Sequence, residues 1–225
     1  MAVILVHGAT ITYVIPALVL AAGRSSRMGR AKASLPLGED DTFLTRIVRT
    51  FLEAGVEDVV VVVGHEADAI VGGFPADRLS ARFVENRDYD RGQLTSLIAG
   101  LSVIDRPGVT AALVTLVDVP FVSAETVRAV IDCYRRTHAP VVRPTSGTRH
   151  GHPLLLDRSL FGDLRAADPE TGAKPVVRAY ASAAGDVAIE DEGAFTDIDT
   201  AEEYAEAVNK REAEAGHARL RPANG

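Results

Sequence analysis

The chain has 225 residues, of which 47% are hydrophobic, and a formal net charge of −7. This length and apolar content suffice for one α/β core, and the acidic balance excludes the basic surface with which proteins bind nucleic acid. The apolar runs have only strand length, which excludes a membrane span, and the single cysteine, Cys133, excludes an internal disulfide and a multi-cysteine metal site. We expect a cytoplasmic protein with one domain over residues 15–215, an N-terminal extension (1–14) and a disordered tail (216–225).

The first part of the chain alternates predicted strands with predicted helices. The strands are expected at Pro16–Leu20, Asp58–Val63, Arg82–Glu85 and Ala111–Val117. The helices are expected at Thr42–Ala54, Glu66–Val71, Gln93–Val103 and Ala124–Thr137. A run of valines in the second strand is typical of a strand that is buried on both faces.

The pattern becomes looser in the last third of the chain. Strands are expected at Pro140–Arg143, Pro153–Asp157 and Val187–Ile189, with a loop at Gly147–His152. Helical stretches are expected at Asp163–Ala167, Lys174–Ala183 and Ala201–Ala215, the last opened by a capping box of Thr200 and Glu203. The alternation predicts an α/β fold with a mostly parallel sheet and helices on both faces.

The stretch from Leu18 to Lys32, LVLAAGRSSRMGRAK, is typical of a phosphate-binding loop. An apolar strand ends in small residues, which let backbone N–H groups approach a ligand closely. Four cations and no acid then follow within a few residues, namely Arg24, Arg27, Arg30 and Lys32. We expect Ala31–Leu35 to begin a helix whose N-terminal dipole adds to this positive field.

Neither common phosphate-loop template fits this stretch. Its glycine spacing departs from the P-loop, and the dinucleotide-binding pattern G-x-G-x-x-G is absent. The stretch instead resembles the signature L-A-A/G-G-x-S-x-R-M-G-x-x-K of the MobA-like nucleotidyltransferases, the molybdenum-cofactor cytidylyl- and guanylyltransferases and their relatives. Each position of that signature is matched, by Leu20, Ala21, Ala22, Gly23, Ser25, Arg27, Met28, Gly29 and Lys32. The resemblance implies a Rossmann-like three-layer α/β/α fold of the nucleotide-diphospho-sugar transferase type.

Aspartates follow two later apolar segments. Asp118 comes directly after the run LVTLV, and a carboxylate at the carboxyl end of a parallel strand can hold Mg²⁺. A lone D-x-P is more often a turn, but the resembling enzymes have a metal-binding aspartate at this place. Their late motif D-I-D-T-P-E-D-Y is close to residues 197–204, DIDTAEEY. The resemblance therefore implies that Asp197, Asp199 or both complete the metal site.

A further segment between these motifs matches the family pattern N-x-x-W/Y-x-x-G-x-x-x-S. From the residues alone, Asn86 is a turn residue and Ser96 a helix-surface residue, although both can hydrogen-bond base and ribose edges. The resemblance implies that Asn86, Gly92 and Ser96 bind the nucleotide, with the base against Gly92 and Ser96.

Two later loops are candidates for the second substrate. The cluster RHGHP at 149–153 has two histidines but no third ligand at zinc spacing. In the resembling enzymes a G-x-P or G-H-P element borders the pocket for a phosphorylated acceptor, and the Gly172-Ala173-Lys174 segment is similar to a second such loop. This implies that Arg149, His152 and Lys174 contact the acceptor phosphate, with an ordinary surface loop as the alternative.

The resemblance spans about Pro16 to Tyr204 and implies transfer of a nucleoside monophosphate from an NTP to a phosphorylated small molecule, releasing pyrophosphate. Arg27, Lys32 and Asp118 are then the catalytic residues: the cations hold the β- and γ-phosphates, and the aspartate holds Mg²⁺ or Mn²⁺. The remaining nucleotide contacts come from the loop itself, namely Leu20, Ala21, Ala22, Gly23, Arg24 and Ser25.

The substrates are less closely defined. In the molybdenum-cofactor branch of the resembling enzymes, LAAG rather than LAGG goes with cytidine, so the resemblance implies CTP in preference to GTP and a molybdopterin-type cofactor as the acceptor. A sugar-1-phosphate or polyol-phosphate nucleotidyltransferase is the alternative, and a nucleotide-binding module without turnover is the second alternative. Retention of Lys32, Asp118 and the late aspartate pair counts against a mere binding module, and a missing D-x-D motif counts against a glycosyltransferase. No nucleic-acid or membrane partner is expected, and the protein is expected to be a monomer or a weak homo-oligomer.

Overall fold

The computed structural model describes residues 3–6, 9–24, 29–38, 41–74 and 79–209, with the backbone alone for residues 3–12. Strands β1 (Val3–Val6) and β2 (Ala9–Thr12) form an antiparallel pair of their own within the expected N-terminal extension. The expected tail at 216–225 lies outside the described residues. The boundaries proposed for the extension, domain and tail stay a prediction.

One eight-stranded sheet carries the rest of the fold. Its strands are β3 (Ala17–Ala21), β4 (Val59–Val63), β5 (Arg82–Glu85), β6 (Ala111–Leu116), β7 (Val141–Ser146), β8 (Arg149–His150), β9 (Leu154–Asp157) and β10 (Asp186–Ala188). The helices are α1 (Phe43–Glu53), α2 (Ala67–Gly73), α3 (Gln93–Ile104), α4 (Ala124–Thr137), α5 (Phe161–Ala166), α6 (Lys174–Tyr180) and α7 (residues 201–209). None of these described helices is long and apolar enough to cross a membrane.

The sheet has the strand order β10-β7-β9-β6-β3-β4-β5, and β8 pairs with β7 outside this path. Strands β6, β3, β4 and β5 pair in parallel with one another, and β10 is parallel to β7. Strand β9 runs antiparallel to both β6 and β7. It follows β7 without a crossover helix, and a parallel connection requires one. The predicted mostly parallel sheet is confirmed, with β9 as its antiparallel member.

Alternate residues of the sheet enter two separate cores. In β3, Ala17 and Val19 pack into one core with helices α1, α2 and α4. Leu18 and Leu20 pack into the other core with α3, α5 and α6. All five side chains of β3 are buried, as expected for a strand covered on both faces. The three-layer α/β/α architecture implied by the sequence is therefore confirmed.

The helix expected at Ala31–Leu35 is wrong. The segment makes a single 3-10 turn over Lys32–Ser34, and Leu35 is already extended, with φ −67° and ψ 125°. The cause is Pro36, since a proline ring disfavours the helical conformation of the residue before it. Two other local expectations differ: β7 continues through Pro144 to Ser146, and the loop expected at Gly147–His152 contains β8.

Helix α1 provides a matched test of the core. Leu44 is fully buried between α1 and the sheet, whereas Leu52 on the same helix is 37% exposed. We expect Leu44→Ala to lower the free energy of unfolding by about 3 kcal/mol because it leaves a cavity, and Leu52→Ala to lower it by less than about 1 kcal/mol. Urea denaturation of both variants measures the difference. Equal losses would contradict the packing described for this face.

Candidate active site

The carboxyl ends of β3 and β6 form one side of a cavity of about 260 Å³. Ala22 and Gly23 follow β3, and Val117 and Asp118 follow β6. Ligands of parallel α/β sheets bind at this edge, because the loops that leave neighbouring strands diverge there. The cavity is closed by side chains from three other parts of the chain: Lys32, Tyr89, Gln93, Ser96 and Asp199.

Lys32 joins two aspartates at the base of this cavity. Its Nζ atom donates to Asp118 Oδ2 at 3.0 Å and to Asp199 Oδ1 at 2.6 Å. The lysine side chain is only 10% exposed, and the side chains of Asp118 and Asp199 are 21% and 35% exposed. Burial lowers the pKa of Lys32, but hydrogen bonds and charges of Asp199 and Asp118 outweigh burial and raise that pKa above its ordinary value. The lysine therefore carries its positive charge at neutral pH.

The position of Asp118 is set by backbone hydrogen bonds on both sides of the residue. Val117 N donates to the Leu20 carbonyl, which extends the pairing of β6 with β3 by one residue. The Asp118 carbonyl accepts a hydrogen bond of 2.8 Å from Ile198 N. This last bond brings the segment that contains Asp199 to the edge of the sheet.

Asp199 is held by the start of α7. Glu203 accepts hydrogen bonds from the backbone N–H groups of Asp199 and Thr200, and Thr200 Oγ1 accepts one from Glu203 N. This confirms the predicted capping box, and the two N–H donors lower the pKa of the Glu203 carboxyl. The next residue, Tyr204, donates from its hydroxyl to the Pro36 carbonyl at 2.8 Å. Helix α7 thus fixes Asp199 and also the turn that carries Lys32.

The donor set fits a divalent cation that is shared with a phosphate ligand. Asp118 Oδ1 is buried and accepts no hydrogen bond from the described residues, which is costly for a carboxylate oxygen. Within the described parts of the chain, no three His, Cys, Asp or Glu side chains converge in a way that would hold a metal by themselves. Mg²⁺ is commonly bound by one or two carboxylates together with substrate phosphates. Asp118 and Asp199 supply two such carboxylates.

The late aspartates, which the sequence treats as one pair, line different cavities. Ile198 between them is buried, with 1% exposure, and Asp199 lines the cavity that contains Asp118. Asp197 lines a separate acidic cavity beside Glu203 and Glu206.

Asn86 and Ser96 belong to one buried network at the start of α3. The Asn86 amide donates to Ser96 Oγ and to Thr95 Oγ1, both at 2.9 Å, and its carbonyl accepts from Asp88 N. Asn86 is 5% exposed, so its polar atoms are used within the protein. Gly92 precedes α3 with φ 108°, a conformation that favours glycine. Ser96 lines the cavity, and Asn86 orients it.

Tyr89 is a cavity residue absent from the predicted site. Its ring lies 5.9 Å from the His65 ring, and the Arg24 guanidinium lies 5.7 Å from the ring centroid. A Cβ atom at Gly64 would come within 2.7 Å of Tyr89 and 2.9 Å of Ala22, so glycine is required beneath the ring. The signal for Tyr89 was the aromatic position of the N-x-x-W/Y pattern. Gln93 was also missed, because it occupies a variable position of that pattern.

A larger cleft of about 670 Å³ adjoins this cavity and shares Leu20, Gln93 and Leu116 with it. We call it the acceptor cleft. Its walls come from α3, β6, β9 and α6, and its basic lining consists of Arg143, His150, His152, Lys174 and Arg178. The structure therefore places Lys174 and His152 in one cleft. The sequence prediction did not include Arg143, His150 or Arg178, because nothing local distinguishes them from surface residues.

His152 is half-buried and lines the acceptor cleft. Its Nδ1 donates to the Val114 carbonyl at 3.4 Å, and its backbone N–H donates to the Ala194 carbonyl at 2.8 Å. Burial lowers the pKa of the imidazole, although the Val114 carbonyl and the charges of Asp118 and Asp197 oppose this. The lowered pKa favours the uncharged ring at pH 7, and the Nδ1–H group is used in the hydrogen bond to the Val114 carbonyl.

The structure does not place Arg149 in the acceptor cleft. Its guanidinium donates to both carboxylate oxygens of Glu192, at 2.8 and 2.7 Å, and lies 4.8 Å from the centroid of the Phe195 ring. Gly151 packs so closely below that a Cβ atom there would be 2.4 Å from the Ala194 carbonyl. Arg149 thus holds the loop of His152 against the segment that leads to Asp199.

Two predicted site residues, Ser25 and Arg27, lie outside the described residues. The other loop residues precede the gap: Leu20, Ala22 and Gly23 line the cavity, and Ala21 is the last residue of β3.

Several curated proteins are similar to this chain. A Rubrobacter xylanophilus protein named bifunctional IPC transferase and DIPP synthase is 38% identical over 52% of this chain, which spans 26% of that protein. The nicotine blue oxidoreductase of Paenarthrobacter nicotinovorans is 27% identical over 83% of this chain and 92% of its own. A probable molybdenum cofactor guanylyltransferase of Mycobacterium avium is 31% identical over 59% of this chain and 64% of its own. The chain thus spans less than two thirds of the first and third of these relatives.

Two solved structures have the same fold. Rv0371c from Mycobacterium tuberculosis superposes with a TM-score of 0.70 and 29% identity, covering 87% of this chain and 98% of that protein. The same protein in complex with manganese superposes with a TM-score of 0.70 and 25% identity, covering 88% and 99%.

The family model described as MobA-like NTP transferase domain matches residues 17–184, from the first residue of β3 to just before β10. The match includes the loop after β3, Asp118, and the residues from α3 and α6 that line the two cavities. The chain therefore belongs to the MobA-like NTP transferase family of nucleotidyltransferases.

Proposed function

We propose that this protein transfers a nucleoside monophosphate, from CTP in preference to GTP, to a phosphorylated acceptor of the molybdopterin type and releases pyrophosphate. The observation that carries the proposal is the pair of carboxylates joined by Lys32 in the cavity at the ends of β3 and β6. A charged lysine and two acids at the base of such a cavity are suited to a triphosphate and a divalent cation.

In this reaction an oxygen of the acceptor phosphate attacks the α-phosphorus of the NTP. The new bond joins the two phosphates, and the bond between the α- and β-phosphates breaks as pyrophosphate leaves. The attacking oxygen already carries negative charge, so no side chain has to remove a proton. A neutral His152 is compatible with this chemistry. Catalysis then consists of alignment and neutralisation of charge.

The residues of the cavity have separate tasks. Asp118 and Asp199 would hold Mg²⁺, which neutralises phosphate charge when it is bound, and Mn²⁺ is the alternative ion. Lys32 keeps the two carboxylates adjacent and donates to the phosphates once the triphosphate enters. Arg27, in the loop before it, is the second proposed phosphate contact. Asn86 orients Ser96 through a buried hydrogen bond and does not itself face the base.

The acceptor cleft favours a molybdopterin-type acceptor over a sugar or polyol phosphate. Eight of its lining side chains are leucine or valine: Leu20, Leu94, Leu97, Val114, Leu116, Leu154, Leu156 and Val177. A hydroxyl-rich ligand against such walls would leave many hydroxyl groups without partners. A flat ring system has this cost only at its polar edge, because its faces can pack against apolar side chains.

The two late aspartates can be separated by mutation. We expect Asp118→Asn and Asp199→Asn each to lower kcat by about 100-fold, because each removes a charge that holds the cation. Asp197→Asn should have a much smaller effect, since Asp197 lines a different cavity. The readout is pyrophosphate release at saturating Mg²⁺, with the exposed Asp132→Asn as control. A larger loss with Asp197→Asn than with Asp199→Asn would reverse the assignment.

The donor nucleotide is tested with a panel of the four NTPs, Mg²⁺ and candidate phosphorylated acceptors. We expect pyrophosphate release to be fastest with CTP and to stop when EDTA removes the metal. Faster pyrophosphate release with GTP than with CTP would show that GTP is the donor. No release with any pair, together with NTP binding that is unchanged in Asp118→Asn, would favour a nucleotide-binding module. Pyrophosphate release would also distinguish the activity of this chain from the activity for which the relative nicotine blue oxidoreductase is named.

The ion pairs of Lys32 also predict how metal binds without nucleotide. The ammonium lies between the two carboxylates and competes with any other cation for them. We expect Lys32→Met to tighten Mn²⁺ binding in the absence of NTP by about tenfold, because the two acids lose their internal counter-charge. Titration with Mn²⁺ followed by electron paramagnetic resonance measures the affinity, with Lys174→Met as the matched lysine control. An unchanged affinity would show that the lysine does not compete with the metal.

A further inference from the structure

The acceptor cleft has a positive charge that the protein as a whole lacks. The chain has a net charge of −7, yet the charged lining of this cleft is Arg143, Lys174 and Arg178 against the single carboxylate of Glu170. The acidic cavity beside Asp197 has the opposite lining, with six carboxylates and one arginine. Charge is therefore segregated between neighbouring surfaces, which is typical of a ligand-binding cleft.

Two of the three cations in the acceptor cleft form no ion pair within the described part of the chain. Eleven arginines form ion pairs within the described residues, and Arg143 is one of them, through Asp186 at 2.8 Å. Lys174 and Arg178 form no hydrogen bond or ion pair with any described residue. Their charges are available to a ligand.

Helix α6 presents these two cations together. Lys174, Val177 and Arg178 are three and four positions apart, so they lie on the same face of the helix. All three line the acceptor cleft. The face thus combines two separate donors of positive charge with an apolar contact between them. An anionic group and the apolar part that carries it would match this face together.

The acceptor cleft meets the cavity of Lys32 and Asp118 at three shared residues: Leu20 in β3, Leu116 at the end of β6 and Gln93 at the start of α3. Lys174 and Arg178 line the acceptor cleft but not that cavity. The reacting phosphate of an acceptor has to lie where the two cavities meet, because the α-phosphate of the donor is attacked there. The lining of the acceptor cleft contains one side-chain amide, Gln93, and one hydroxyl, Thr171. Eight of the lining residues are leucine or valine.

We infer that the acceptor carries two separate anionic groups: the phosphate that reacts where the two cavities meet, and a second group that Lys174 and Arg178 bind outside the cavity of Asp118. A planar or apolar segment joins the two groups. This inference rests on the proposed function, which makes the cleft the acceptor site. It narrows the acceptor to a class that excludes simple polyol phosphates, because those have one anionic group and a hydroxylated body.

A pair of synthetic ligands tests the inference by isothermal titration calorimetry, without turnover. Naphthalene-2,6-diyl bisphosphate and 2-naphthyl phosphate differ only in the second phosphate. We expect the bisphosphate to bind about tenfold more tightly or better, as charge-assisted hydrogen bonds to one more anion predict. Glycerol 3-phosphate should bind most weakly of the three. Equal affinities of the two naphthyl ligands, or tightest binding of glycerol 3-phosphate, would overturn the inference.

The same titration in variants locates the second anion. Lys174→Gln and Arg178→Gln should each reduce the preference for the bisphosphate, while the affinity for 2-naphthyl phosphate stays nearly the same. Arg136→Gln is the matched control, since Arg136 is an exposed arginine on α4, which packs on the other face of the sheet. A preference that survives in both cleft variants would overturn the inference. Because binding alone is measured, the outcome does not depend on pyrophosphate release, and failure of the proposed function is recognised separately in the NTP panel.

Discussion

The site depends on one buried ammonium group. Lys32 is bonded to Asp118, 86 positions later in the chain, and to Asp199, 167 positions later. Two carboxylates so close together repel each other, and each would be costly in a largely buried cavity without a counter-charge. The lysine removes both costs at once. Lys32 and its two aspartate partners come from the turn after β3, the end of β6 and the start of α7, so this cation links three distant parts of the chain.

The elements around Lys32 are consistent with this constraint. Tyr204 on α7 donates to the Pro36 carbonyl, and Ile198 donates to the Asp118 carbonyl. These two neutral hydrogen bonds fix the backbones from which the charged side chains extend. The charges therefore meet in a geometry that the backbone sets in advance, which is the condition for strong electrostatic stabilisation of a ligand.

The sequence predicts the parts of this molecule that follow from local patterns. The strand and helix positions from β3 to α4 agree with the structure to within two residues at each end, because hydrophobic periodicity and caps are local properties. The strands β1 and β2 were not predicted. The sequence also predicts the position of Asp118 after a buried strand. It does not predict that Asp197 and Asp199 line different cavities, because that depends on burial of Ile198 against distant residues. The role of Arg149 depends on its ion pair with Glu192, 43 positions away, and no local pattern predicts that ion pair.

The single 3-10 turn at Lys32–Ser34, in place of the expected helix, determines which groups bring positive charge to the cavity. An α-helix there would have offered a fixed array of backbone N–H groups, with its dipole behind them. Pro36 limits the segment to one 3-10 turn, whose own N–H groups provide little of that field. In the described part of the loop, positive charge at the cavity then comes from the side chain of Lys32. With the proposed triphosphate bound, a side-chain ammonium can turn from the carboxylates to a phosphate oxygen, whereas backbone N–H groups are fixed. In the proposed function, the turn thus allows the position of the charge to follow the ligand.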